Sequence, residues 1–269
     1  CLFHLSFESE LQKSIAASGG IKPLVSLFAD GTEEAFKHAS DALTRLAFEN
    51  PENQAQIAKR LVGLLDYNDP SVVSRAAHDL QSLAQSHPKA PMVIVSAGAI
   101  SPLVSVLSNG KTEEGRAEAS KTLYTLANSG EANQTAIAIG LVALLGVGTD
   151  LAQECVTELL LTLSSPDESD LANRQAIAKA GPFKMLVQQM RSANGKVRML
   201  AAAVMSRLSG DSTDNVETIA VCEGIQVLVK LLDPDGGELG MKSQHYSTIV
   251  LAHVTCVRQE HAISVTEED

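Results

Sequence analysis

The sequence predicts an all-α chain built from tandem helical repeats, and three observations predict it. Residues 20–65 and 99–145 are copies of each other, with about half of their aligned positions identical. A Leu-Val pair recurs at Leu24, Leu61, Leu103, Leu141, Leu186 and Leu228, at spacings of about 40 residues, the period of two- or three-helix solenoid units. Apolar residues make up 45% of the 269-residue chain, yet aromatics are only 3% and Trp is absent. A core of Ala, Leu, Val and Ile suits thin, closely stacked helices in which each unit buries its face against its neighbours.

Each unit reads as three helices. The first is short and carries Ile-Ala at Ile15, Ile57, Ile137, Ile177 and Ile219, with Ile94 as a diverged copy. Gly19-Gly20, Gly98, Gly181 and Gly224 fall where this helix should end in a left-handed cap, and Pro23, Pro102 and Pro182 restart the chain. The second helix is built on the Leu-Val pair. The third and longest carries Leu43/Leu46, Leu80/Leu83, Leu123/Leu126, Leu160/Leu163, Met205/Leu208 and Leu251/Val254. Ala39, Leu43, Leu46 and Ala47 follow the i, i+4, i+7, i+8 spacing of one buried helix face, and Ala76, Leu80, Leu83 and Ala84 repeat it. Thr32 and Thr112 precede Glu-Glu, an N-cap followed by carboxylates at the positive end of the helix dipole. Asn50-Pro51 and Asp69-Pro70 read as N-cap plus proline at the first helical position.

Two departures from the pattern are informative. Between Gln56 and Val62 the Gly and Pro breakers are missing, so the first and second helices of that unit are expected to run together. The stretch from Ile137 to Leu145 is shortened in the same way, with Gly140 as a place where it can bend. Long and short units therefore alternate over the first four repeats, as if an ancestral pair had been duplicated. At the ends, Cys1 to Ala16 matches a third helix running into the first helix of the next unit. Gln244 to Val265 matches a third helix followed by the start of a further unit. Neither end carries a polar cap. The expectation is one array over residues 1–269, about six to seven units, cut from a longer one.

Gly-Ile-x-Pro-Leu-Val-x-Leu from Gly20, Ala-x-x-Ala-Leu-x-x-Leu-Ala from Ala39 and Asn-Gln-x-x-Ile-Ala from Asn53 resemble the armadillo repeat, and the resemblance covers essentially the whole chain. It implies a right-handed α-α superhelix whose third helices line a concave face on which a partner segment lies. Alignment on Leu43 then gives two ladders of candidate groove residues. One contains Arg45, Ser82, Thr125, Thr162 and Arg207, with His4 and His253 as outlying members. The other, one turn earlier, contains Asp41, His78, Lys121, Glu158 and Ala203, and Lys37 lies a further turn back. Nuclear-import adaptors of this family hold Trp and Asn on these ladders. This chain has no Trp, and Arg, Ser or Thr stand where Asn would, so that role is not expected.

No catalytic signature is present. No strand pattern precedes a glycine pair as a phosphate loop requires, no His-Glu-x-x-His occurs, and the seven histidines are dispersed without zinc-ligand spacing. Asp233-Pro-Asp-Gly-Gly-Glu238 has part of a calcium loop, but Gln244 stands where the later acidic ligand belongs, so a turn is the better reading. The cysteines Cys1, Cys155, Cys222 and Cys256 form no Cys-x-x-Cys pair, which points to a reducing compartment and to small apolar residues in a core. A net charge of -11 repels phosphate backbones, and no apolar run reaches the roughly 18 residues of a membrane span.

The expected function is a non-catalytic scaffold without cofactor or metal, in the cytoplasm with nuclear access open. Its expected partner is a protein or peptide segment, basic or neutral rather than acidic, because the chain's acidity steers that way. Nucleic acid is not expected. Two alternatives stand beside it: the substrate-recognition region of a larger enzyme of the U-box ubiquitin-ligase type, and an architectural subunit docking by its outer face.

Overall fold

Helix boundaries follow the punctuation residues. The computed structural model describes residues 9–233 and 237–267, with side chains at 10–233 and 237–257. Among these are 16 α-helices, one 3-10 turn and no strand. The chain divides into two units, residues 1–133 and 134–269.

The first unit opens with a three-helix repeat, α1 (Ser9–Ala17), α2 (Ile21–Asp30) and α3 (Glu33–Ala47). A two-helix repeat follows, α4 (Pro51–Leu64) and α5 (Pro70–Ser86), and then a three-helix repeat, α6 (Ala90–Ser96), α7 (Ile100–Asn109) and α8 (Glu113–Ala127). The division falls within α9 (Glu131–Leu144). The second unit continues with α10 (Asp150–Leu163), a 3-10 turn (Glu168–Asp170), α11 (Leu171–Lys179), α12 (Phe183–Gln189) and α13 (Gly195–Ser209). It ends with α14 (Thr213–Val221), α15 (Gly224–Lys230) and α16 (Gly237–Glu267).

The anticipated caps are in place. Thr32 Oγ1 accepts from the Ala35 amide at 3.2 Å and Thr112 Oγ1 from Gly115 at 3.1 Å. Asn50 and Asp69 cap α4 and α5 through the amides of Asn53 (3.1 Å) and Ser71 (2.9 Å), each followed by proline. The Asn-Gln pair has a job that motif spacing does not reveal. Asn53 Nδ2 donates to the Leu46 carbonyl at 2.8 Å and Gln54 Nε2 to that of Ala47 at 2.9 Å. These are carbonyls in the last turn of the preceding third helix, which has no further turn to satisfy them. Asn215 does the same for Leu208 in the second unit, at 2.8 Å.

Both shortened repeats behave as expected. α4 runs unbroken from Pro51 to Leu64, and α9 passes through Gly140 without interruption. The C-terminal expectation needs correcting. α16 begins at Gly237 and continues for 31 residues, with no break between a third helix and a new unit. No Gly or Pro follows Gly240, so nothing in the sequence stops the helix. The third-helix reading of residues 1–8 and the turn at 234–236 lie outside the described residues.

The core is the set of stripes read from periodicity. Ala39, Leu43, Leu46 and Ala47 of α3 are at most 2% exposed, and Ala76, Leu80, Leu83 and Ala84 of α5 at most 5%. In the first unit α5 packs along both α3 and α8, and in the second α13 packs along α10 and α16. Arg75 ties the outer and inner layers of the first unit together. It donates to the Phe28 carbonyl (3.1 Å), pairs with Glu33 (2.7 Å) and lies 4.8 Å from the centre of the Phe36 ring.

One cap departs from the expected pattern. Gly19, Gly98 and Gly181 are left-handed as anticipated, but in the last repeat the left-handed residue is Glu223 (φ 61°), not Gly224. Gly224 serves for close approach instead, since a Cβ there would stand 2.7 Å from the Ile219 carbonyl oxygen. A non-glycine residue in this conformation costs about 1 kcal/mol. Glu223 pairs with Arg191 at 3.1 Å, but both side chains are more than half exposed, so the pair offsets little. Glu223→Gly is therefore expected to stabilise the chain by about 0.5–1 kcal/mol, read as a higher urea midpoint at unchanged slope.

Candidate functional face of the third helices

The polar edges of the third helices hold the candidate residues, and the two units are described separately. In the first unit, Lys37 and Asp41 of α3 are exposed and Arg45 is half-buried. His78 of α5 and Lys121 of α8 are exposed, while Ser82 and Thr125 are half-buried. The structure joins two of these through a residue that the ladder alignment omits. Glu118, on α8, lies 2.8 Å from Lys121 Nζ and 3.7 Å from His78 Nδ1. Its side chain is only 13% exposed, so the carboxylate is fixed between the lysine ammonium and the histidine ring. One turn along, Gln81 Nε2 of α5 donates to Thr125 Oγ1 at 3.2 Å. Glu118 and Gln81 escaped the sequence reading because repeat alignment finds equivalent positions, whereas these contacts join non-equivalent positions on adjacent helices.

Behind this strip lies Asp79, 4% exposed on the seam between α3 and α5. Ser40 Oγ donates to its Oδ1 at 2.8 Å, and this is the hydrogen bond that the carboxyl group receives. Burial pushes the Asp79 carboxyl up from 3.8 to about 6, against the opposing pull of the Ser40 hydrogen bond.

In the second unit, Glu158 and Thr162 of α10 are exposed. Thr162 Oγ1 is turned onto its own helix, donating to the Glu158 carbonyl at 2.9 Å. Glu158 lies 3.6 Å from Lys196 Nζ, which also reaches Glu154 at 3.2 Å. The hydrogen bond that Lys196 donates to Glu154, with further help from Glu158, raises the Lys196 pKa. Ala203 is fully buried among the core side chains of α13 and leaves the ladder. Arg207 is half-buried and lines a cavity of about 440 Å³ with His245, Tyr246 and His253 of α16. His253 Nδ1 is 2.8 Å from Ser209 Oγ, which fixes the ring at the cavity edge. Arg174 and Asp211 also line it, with the Arg174 Nε–H shared between both Asp211 carboxylate oxygens at 2.9 and 3.1 Å. His4 lies outside the described residues.

Among the described residues no three His, Cys, Asp or Glu side chains come together to hold a metal. Cys222 and Cys256 are free thiols. No single described helix is long and apolar enough to cross a membrane.

Comparison with known proteins bears on the fold directly. No family model matches the chain. A designed armadillo repeat protein, solved in complex with the peptide (KR)4, superimposes with a TM-score of 0.57 over 86% of this chain and 98% of its own, at 18% identity. An engineered protein matches 88% of this chain and 97% of its own at 26% identity and a TM-score of 0.56. Among curated proteins, junction plakoglobin from Xenopus laevis is 27% identical over 235 residues, and a catenin beta from Urechis caupo is 25% identical over 241. The fold is that of an armadillo-repeat solenoid. The armadillo array covered here spans 31% of the length of that plakoglobin and 28% of that catenin, against 85% and 86% of this chain.

The raised Asp79 carboxyl sets a pH dependence. The folded protein holds its proton more tightly than the unfolded chain, so this group's contribution is full below pH 3.8 and is lost as pH rises through about 6. Asp79→Asn keeps a hydrogen-bond partner for Ser40 and carries no charge. It is expected to gain on the order of 2–3 kcal/mol over the parent at pH 7.5 and little at pH 4. Urea denaturation at the two values measures the difference, and an equal effect at both would remove burial of the charge as its cause.

Proposed function

We propose that the chain is a non-catalytic scaffold that binds a segment of another protein along the face of its third helices. The observation that carries the reading is the polar strip of the first unit, where Glu118 organises His78 and Lys121 and Gln81 holds Thr125. Polar groups held by neighbouring helices are pre-ordered, so a partner segment docking there loses less entropy. In the second unit, Arg207 and His253, which line its cavity, are candidate contacts of their own.

The partner is a basic or neutral segment. Support comes from the net charge of -11, from exposed Asp41 and Glu158 on the ladder, and from the basic (KR)4 peptide carried by the designed armadillo relative. The array belongs to a longer run of repeats and works in the cytoplasm. The free thiols Cys222 and Cys256 suit a reducing compartment.

Affinity capture with the parent chain and with the variant Asp41→Lys, Glu158→Lys tests the reading. The variant is expected to lose the principal captured proteins by roughly tenfold or more, since few residues dominate such interfaces. Unchanged capture, with helicity intact by circular dichroism, would falsify the proposal.

A further inference from the structure

The shortened repeat leaves a mark on the opposite side of the first unit, where the first and second helices are exposed. α4 replaces two helices and their Gly-Pro turn with one straight rod. Two open cavities flank it. One, about 500 Å³, is lined by Lys22 of α2 and by Lys59 and Arg60 of α4, over Val25, Ala29 and Leu64. The other, about 460 Å³, is lined by Lys59 and Lys89 over Ala55, Met92 and Val93. Lys59 lines both, so the two cavities adjoin along α4, and together they are called the trough. Gly63 sits at its floor, and a Cβ there would meet no atom within 4 Å.

The charge of this trough is opposite to that of the chain. Lys22, Lys59, Arg60 and Lys89 face it, against Asp30 as its one acidic lining residue, in a protein of net charge -11. All four cations are exposed, and none forms an ion pair with a described residue. The third-helix face behaves differently, because there Lys121 and Lys196 are already neutralised by Glu118 and by Glu154 with Glu158. Large apolar groups stand exposed among the unpaired cations: Met92 is 62% exposed, and Tyr67, at the far end of the first cavity, is 51% exposed.

We infer that this trough is a second binding surface, distinct from the third-helix face, for an acidic amphipathic segment of a partner protein. Its carboxylates pair with Lys22, Lys59, Arg60 and Lys89, and its large apolar side chains enter the two cavities. The surface favours a peptide over a lipid bilayer, because recessed cavities admit side chains whereas a flat headgroup layer cannot fill them.

The test is a selection of a random sixteen-residue peptide library on the parent chain. Each enriched peptide is then measured by fluorescence anisotropy against three variants. These are Lys22→Glu with Lys59→Glu and Arg60→Glu, the steric plug Gly63→Trp, and the third-helix variant Arg45→Glu, Lys121→Glu, Arg207→Glu. The expected result is a class of peptides with acids interleaved among large apolar residues. That class should bind at least tenfold more weakly to the charge-reversed and plugged variants, weaken as salt rises, and bind the third-helix variant normally. The inference is overturned if no enriched peptide depends on the trough residues, or if those that do carry no excess of acids. It is also overturned if the trough variants lose only sedimentation with phosphatidylserine vesicles. Loss confined to the third-helix variant speaks to the other surface alone and overturns this one.

Discussion

A third helix of this chain cannot bury its own apolar stripe, and the rest of the structure depends on that. α5 hides Ala76, Ala77 and Leu80 completely only because α3 and α8 flank it. Alanine at the seam lets the helices approach closely, and close approach brings the polar positions beside the stripe within hydrogen-bonding range. Ser40 reaches Asp79, Thr122 lies 3.4 Å from the Ala77 carbonyl, and Gln81 reaches Thr125. The candidate recognition strip is thus a by-product of how the repeats are held together. Packing sets the spacing, and the polar residues inherit it.

Much of the architecture was legible in the sequence because local chemistry determines it. A proline after Asn50 or Asp69, a threonine before two glutamates and a glycine after a short helix each have one low-energy use, and the structure adopts it. The candidate face was legible only as a set of positions. Alignment placed Lys121 and His78 on one ladder, but the carboxylate between them comes from a residue one turn away. Ala203 aligned with exposed residues yet is buried, because α16 and α10 enclose α13. Glu223 took the left-handed position one residue before the glycine that seemed made for it, since Gly224 is needed for contact with Ile219. Each miss concerns a choice made by neighbouring helices, and one repeat read by itself contains no record of it.

Two buried charges show how differently such a stack can treat an ionised group. Arg174, 7% exposed, is satisfied on several sides by the Asp211 carboxylate and by the carbonyls of Ser165 and Asp167. It fixes the turn before α11 as much as it neutralises a charge. Asp79 receives one hydroxyl and pushes back against its own ionisation. The first arrangement organises a loop and is complete. The second leaves the seam behind the candidate strip short of its best packing, at the place where a bound segment would press on α3 and α5.

The unbroken α4 also bears on where this part of the chain can be cut or lengthened. A three-helix repeat offers a turn after its first helix, as at Gly98 between α6 and α7. The repeat of α4 and α5 has no such turn, and its backbone amides and carbonyls are engaged in one ladder from Pro51 to Leu64. A protease needs several residues of extended chain, and an inserted loop needs a connection that already leaves the helix. In this repeat both are confined to residues 65–69 and to the turn before Pro51. The fused helix is a splint, and it makes the middle repeat of the first unit the one least open to nicking or insertion.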